Sequence, residues 1–261
     1  MTERGDQLIA VKIQAALAVD KELEERIKAV YTLLDPFEID LTYDAFEAAF
    51  IAEVELSGQK HFNIQKMFLQ AYIPAEFGKP AVGLDYAYEP MSAARREALK
   101  SSLSTVTRAG IKTHSAKGHS IVKAYADAGV RAASVGKRSA RDPARLATAS
   151  ISRRTKGLGY YKRVLTGAES CPFCHMIASR GAVYTIDTVE GQWHDNCDCE
   201  PVPASADSGP TPNYDQSLMV KKKKTGLDKE KIKENILAWE RYRAAAGHRV
   251  VPSFPESRTA D

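Results

Sequence analysis

Every cysteine of this 261-residue chain falls between positions 171 and 199. No other feature restricts so tightly what the chain can fold into. Cys171-Pro172-Phe173-Cys174 is a C-x2-C pair, and the window closes with His194-Asp195-Asn196-Cys197-Asp198-Cys199. A C-x2-C turn offers two thiolates to one ion, and a tetrahedral site then needs a second ligand pair from elsewhere in the chain. In an extended segment, residues two apart face the same way, so Cys197 and Cys199 can both point at the metal. His194 joins them if that segment starts with a turn. Five ligands, Cys171, Cys174, His194, Cys197 and Cys199, thus compete for four places. Either His194 or Cys199 is left to support the site from outside the coordination shell. The expected cofactor is a structural Zn2+, since a filled tetrahedron leaves no open position, whereas catalytic zinc keeps one. Between the two halves, Gly181-Ala182-Val183-Tyr184-Thr185-Ile186 reads as a strand.

Two other uses of the cysteines fit less well. Disulfides belong to oxidising compartments. The N-terminus, with Glu3 and Asp6 among scattered apolar residues, lacks the basic patch and short apolar run of a secretory signal. A redox C-x2-C is expected after a βαβ pattern, and none precedes this one. No stretch approaches the roughly 20 apolar residues of a membrane span. The chain is expected to work in a reducing cytoplasm, without a membrane partner.

Charge is distributed unevenly behind a net +4. Residues 1–90 hold 8 Lys and Arg against 16 Asp and Glu, residues 91–168 hold 17 against 3, and residues 169–261 hold 12 against 14. A basic block of this kind points to a polyanion. The plainer alternative is that acidic and basic parts face each other across one fold.

Helical periodicity dominates the first two thirds. Leu23, Ile27, Val30, Tyr31 and Leu34 share a face of a helix over Asp6–Leu34, which Asp35-Pro36 stops. A second helix is expected from an N-cap at Thr42, with Phe46, Phe50 and Val54 on its stripe and Phe62, Met67, Phe68 and Tyr72 continuing it to Pro74. Residues 81–90 form a connector. Helices are expected near 91–108, 118–134 and 139–152, the last starting at Asp142-Pro143. Their apolar faces are thin (Leu99, Leu103, Val106, Ile121, Tyr125, Val130), so they need a partner to bury against. Pro201-Val202-Pro203 and Ser208-Gly209-Pro210 read as linker, Lys221–Lys224 as a basic run, and Asp228–Ala246 as a final helix. The fold class is therefore α+β and predominantly α-helical, with a small β-containing zinc knuckle near 165–200. Four regions follow: acidic helical 1–90, basic helical 91–164, the knuckle module 165–203, and linker plus helix 204–261. Arg131, Lys137, Arg138, Arg153, Arg154, Lys156, Lys162 and Arg163 are the candidate nucleic-acid contacts.

The stretch Arg163-Val164-Leu165-Thr166-Gly167, Cys171 to Cys174, Ala178-Ser179-Arg180-Gly181, Tyr184 and His194 to Cys199 resembles the MuF-like minor head proteins of tailed bacteriophages, in the form carried by phages of actinobacteria. Many such proteins have proline after the histidine, where Asp195 stands here, a change that leaves ligation untouched. The resemblance implies a minor capsid component without catalytic activity. It implies a protein built into the virion during head morphogenesis in the host cytoplasm, meeting the portal or other head proteins and the packaged DNA. Contact with DNA would be to the phosphate backbone and not sequence-specific. Some relatives are fused to a head-maturation protease, but His114 and His119 sit here without a nucleophile and read as surface residues. The competing reading is a metal-dependent nuclease of HNH type, built on His194, Asp195 and Asn196. That chemistry needs a histidine general base besides the metal ligands, and the knuckle already uses its histidine. A zinc-containing transcription factor would need a recognition helix beside the metal, and none is evident.

Overall fold

A computed structural model describes residues 2–166, 174, 177, 178, 180–185, 199–205 and 208. The described residues form five α-helices and a two-stranded sheet, the predominantly helical α+β class expected. The final helix expected over Asp228–Ala246, the Lys221–Lys224 run and Ile186 lie outside the described residues.

Helix α1 (Glu3–Tyr31) and helix α2 (Ile39–Phe77) form a hairpin. Thr2 caps α1, its hydroxyl accepting from the Gly5 N–H. The expected cap of α2 at Thr42 falls inside the helix, which begins at Ile39 after Glu38. At its far end Pro74 is tolerated in the last turn, and Gly78 closes the helix with φ 63°. Helix α3 (Ala93–Ser104) runs through one π-helical turn, Thr105–Ala109, into α4 (Gly110–Ala116). Helix α5 then spans Ile121–Arg154 without interruption.

The two helices expected over 118–134 and 139–152 are thus one. Pro143 sits inside α5 with its ring facing Gly58 of α2, 3.3 Å from where a Cβ would stand. The Arg145 guanidinium reaches the Arg138 carbonyl in the turn that the proline disturbs. Tertiary contact holds the helix together across a residue that ordinarily ends one.

Helices α1, α2 and α5 make a bundle whose first core joins Leu23, Ile27, Phe46, Phe50 and Val54 to Ala128, Ala132 and Ala140. The basic helix contributes small residues, not a broad apolar stripe. Gly129 lies against the Tyr31 ring and Gly136 against Ile27 and Phe50, so the backbones approach closely there. Met67 and Val130, expected on the buried stripes, are 70% exposed.

Strand β1 (Tyr160–Leu165) pairs antiparallel with β2 (Cys199–Ala204), Leu165 opposite Cys199 and Tyr160 opposite Ala204. Pro201-Val202-Pro203, read from sequence as linker, is therefore strand. The two prolines occupy alternate positions, which lets both donorless nitrogens face away from β1. Val202 and Val164 join Ile9, Phe68, Leu69, Tyr72, Ile73 and Ile151 in a second core beneath the sheet. The strand expected over 181–186 reduces, in its described part, to one bridge: Tyr161 and Tyr184 exchange backbone hydrogen bonds of 2.8 and 3.2 Å.

Candidate metal centre and basic surface

The chain leaves β1 at Thr166 and re-enters the sheet at Cys199, so the β1–β2 ladder forms the neck of the 167–198 segment. Cys174 and Cys199, one thiol from each half of the knuckle, are both buried in one cluster with Leu165 and Ala178. Residues 25 positions apart are thus brought together by the fold. Arg163 sets its guanidinium 3.9 Å from Cys199 Sγ and 5.7 Å over the Tyr184 ring. A cation beside sulfur favours the thiolate, the form that ligates metal. Burial pushes the Tyr184 phenol up from its ordinary range, and its hydroxyl donates to the Ile177 carbonyl at 2.9 Å. Cys171, His194 and Cys197 lie outside the described residues. Among the described residues no three His, Cys, Asp or Glu side chains gather around a common point. The two visible thiols suit a soft divalent ion, and Cys174 and Cys199 would hold it from either side of the neck.

A buried ionic network fastens this neck to the bundle. Lys12 of α1 pairs with Glu200 of β2, both side chains 2% exposed. One turn pair further along α1, Asp20 pairs with Arg141 of α5 and lies 3.1 Å from His61 Nε2. Arg141 also donates to the Thr166 hydroxyl at the end of β1. Tyr72 donates to the Pro203 carbonyl at 3.0 Å, and Gln65 to the Thr148 hydroxyl at 2.7 Å. Burial raises the Asp20 carboxyl, but the hydrogen bond with His61 and the Arg141 charge outweigh it and hold the group below its ordinary range. Burial pushes the Lys12 ammonium down against the pull of Glu200.

Sequence reasoning misses the charged members of this network, Lys12, Asp20, His61, Arg141 and Glu200. A signal was present: Ile9, Lys12, Ala16, Asp20, Leu23 and Ile27 recur at three and four residues, placing a lysine and an aspartate in the core stripe of α1.

The acidic block answers part of the basic one. Arg96 pairs with Glu55, Lys100 with Glu47, Arg108 and Lys112 with Asp40, Lys137 with Glu24, Arg141 with Asp20 and Arg154 with Asp85. Acidic front and basic middle do face each other across one fold. Of the eight candidate nucleic-acid contacts, Lys162 and Arg163 are buried and are withdrawn from any DNA-facing surface. Their alternation in a strand covered on both faces hides them, whereas a helical reading would expose them. Lys137 and Arg138 are half-buried. Arg131, Arg153, Arg154 and Lys156 are exposed. His119 is exposed and His114 half-buried, their rings 5.4 Å apart.

The family model described as VG15 protein matches residues 75–222, more than half of the chain. The chain belongs to the VG15 protein family. This is a phage-associated family, so the chain is a phage protein. The VG15 segment runs from the last turn of α2 through α3, α4, α5 and both strands, and it includes all five candidate ligands. No curated protein and no solved structure matches the chain. Among the described residues no helix is long and apolar enough to cross a membrane.

Proposed function

We propose that this VG15 protein is a non-enzymatic minor head protein of MuF-like character. It acts in head morphogenesis, at the portal or another head protein, and contacts the packaged DNA. A structural Zn2+ would close the knuckle, with ligands drawn from Cys171, Cys174, His194, Cys197 and Cys199. One observation carries the reading: the match to a phage-associated family runs across the same Arg163–Cys199 stretch that resembles MuF-like proteins. The packing of Cys174 with Cys199 at the neck of that stretch supports the metal. The exposed cations at the end of α5 support contact with a polyanion.

Gradient sedimentation of a lysate from producing cells tests the assignment. The protein is expected to run with assembled heads or with portal rings. A protein that stays at the top while heads sediment contradicts it, and metal-dependent plasmid nicking would then favour the nuclease.

A further inference from the structure

Two chain stretches meet where α2 and α5 both end, and between them they carry four cations. Lys79 follows α2, Arg153 and Arg154 lie in the last turn of α5, and Lys156 begins the loop into β1. The corner is held in place. Lys79 Nζ donates to the Lys156 carbonyl at 3.2 Å. The Val82 N–H donates at 3.1 Å to the hydroxyl of Thr155, a buried residue, and that hydroxyl donates to the Ile151 carbonyl at 3.0 Å.

Two glycines with positive φ serve this corner. At Gly83 (φ 81°) a Cβ would lie 2.6 Å from Arg154 Cδ. At Gly157 (φ 82°) a Cβ would lie 2.7 Å from Lys79 Nζ. Only glycine lets the arginine stem and the lysine ammonium rest against the backbone there.

The arrangement is not explained by stability alone. Arg153 and Arg154 complement the negative end of α5, but Lys79 and Lys156 add two further charges at the same spot. Asp85 answers Arg154 at 3.4 Å, yet both side chains are exposed, and such a pair contributes little. Tyr160, the first residue of β1 and four residues after Lys156 in sequence, is 46% exposed. Elsewhere along α3 to α5 many cations meet an acid, from the front third or from the basic block itself, as Arg95 and Arg145 meet Asp142 and Lys123 meets Asp127; among the described residues no carboxylate pairs with Lys79 or Lys156.

We infer that Lys79, Arg153, Arg154, Lys156 and Tyr160 form a preorganised seat for the phosphate backbone of double-stranded DNA. The lysines supply point charges, and the arginines can each grip a phosphate through two N–H groups. The Tyr160 hydroxyl donates to a neighbouring phosphate oxygen. The inference rests on the proposed contact with packaged DNA and narrows it to one place. Lys79, outside the basic block, belongs to the seat, while most of that block does not.

Titration of the full chain with a short mixed-sequence DNA duplex, followed by fluorescence anisotropy at several salt concentrations, tests it. The R153E/K156E variant is expected to bind about tenfold or more weakly, with the salt slope reduced by about 2. The K21E/K117E variant, reversing two exposed lysines elsewhere, is expected to stay within about twofold of wild type. Matching melting curves for all three proteins keep folding out of the comparison. If wild type binds and both variants weaken equally, or neither weakens, the seat is wrong while the DNA contact stands. If wild type does not bind duplex even at low salt, the DNA contact and the seat both fall, and an acidic protein surface becomes the partner to seek.

Discussion

Asp20 shows how the interior of this protein carries charge. Its carboxylate is buried between Arg141 and His61, and Lys12 and Glu200 form a second buried pair nearby. Such pairs add little net stability while intact, but losing one partner strands the other charge at a cost of about 3–5 kcal/mol. Asp20→Asn should therefore destabilise the protein by an amount in that range near neutral pH. The Asp20 carboxyl is held below its ordinary 3.8 in the folded state, so its contribution is present above that value and is lost as pH falls through the lower folded one. Urea midpoints should show a gap between wild type and Asp20→Asn that is flat above about pH 5 and narrows in more acidic buffer. A gap that stays constant down to unfolding would show that the carboxylate is not held as described. Lys12 and Asp20 were hidden in the sequence for a physical reason. Periodicity marks them as stripe positions, but a charged residue is assigned to the surface unless its partner is known. Both partners come from more than 100 residues away.

At the scale of elements, the large apolar residues were legible and the small ones were not. Phe46, Phe50 and Tyr72 announce the α1–α2 hairpin, because aromatic side chains at helical spacing have nowhere else to go. Helix α5 packs through Ala124, Ala128, Ala132, Gly136 and Ala140, a stripe that reads as polar-neutral until a partner surface is supplied. The same helix therefore appeared in sequence as two weak ones parted by Pro143. Gly136→Ala tests this packing. Alanine favours a helix by about 1 kcal/mol over glycine, yet the added methyl meets Ile27 and lies 3.1 Å from the Phe50 ring, both fully buried. Overpacking costs about 1–3 kcal/mol, so the variant is expected to be less stable in thermal and chemical unfolding. A gain in stability would mean that the α1–α5 approach is looser than described. Strand β2 was missed because its prolines, Pro201 and Pro203, are linker signals except at a sheet edge.

For the whole molecule, the separation of acid from base is in part a folding device: acids of α1, α2 and the connector pair with cations of α3, α4 and α5. Charge counting alone could not distinguish that from polyanion binding, since both give the same sequence. Lys79 and Lys156, at the corner where α2 and α5 end, pair with no carboxylate among the described residues. The knuckle's cysteine spacing was fully legible, and its neck is tied to the bundle through Glu200 and Thr166. Closing the 167–198 segment with a metal should therefore stabilise the entire bundle, since the same two strands complete its buried ion pairs. The measurement that bears most directly on this is native mass spectrometry of the intact chain, paired with melting before and after chelation. One zinc per chain is expected, with its loss in Cys174→Ser and a lowered melting temperature for the helical signal once the ion is removed. A chain that carries no metal, and melts identically with and without chelator, would overturn the metal-closed neck.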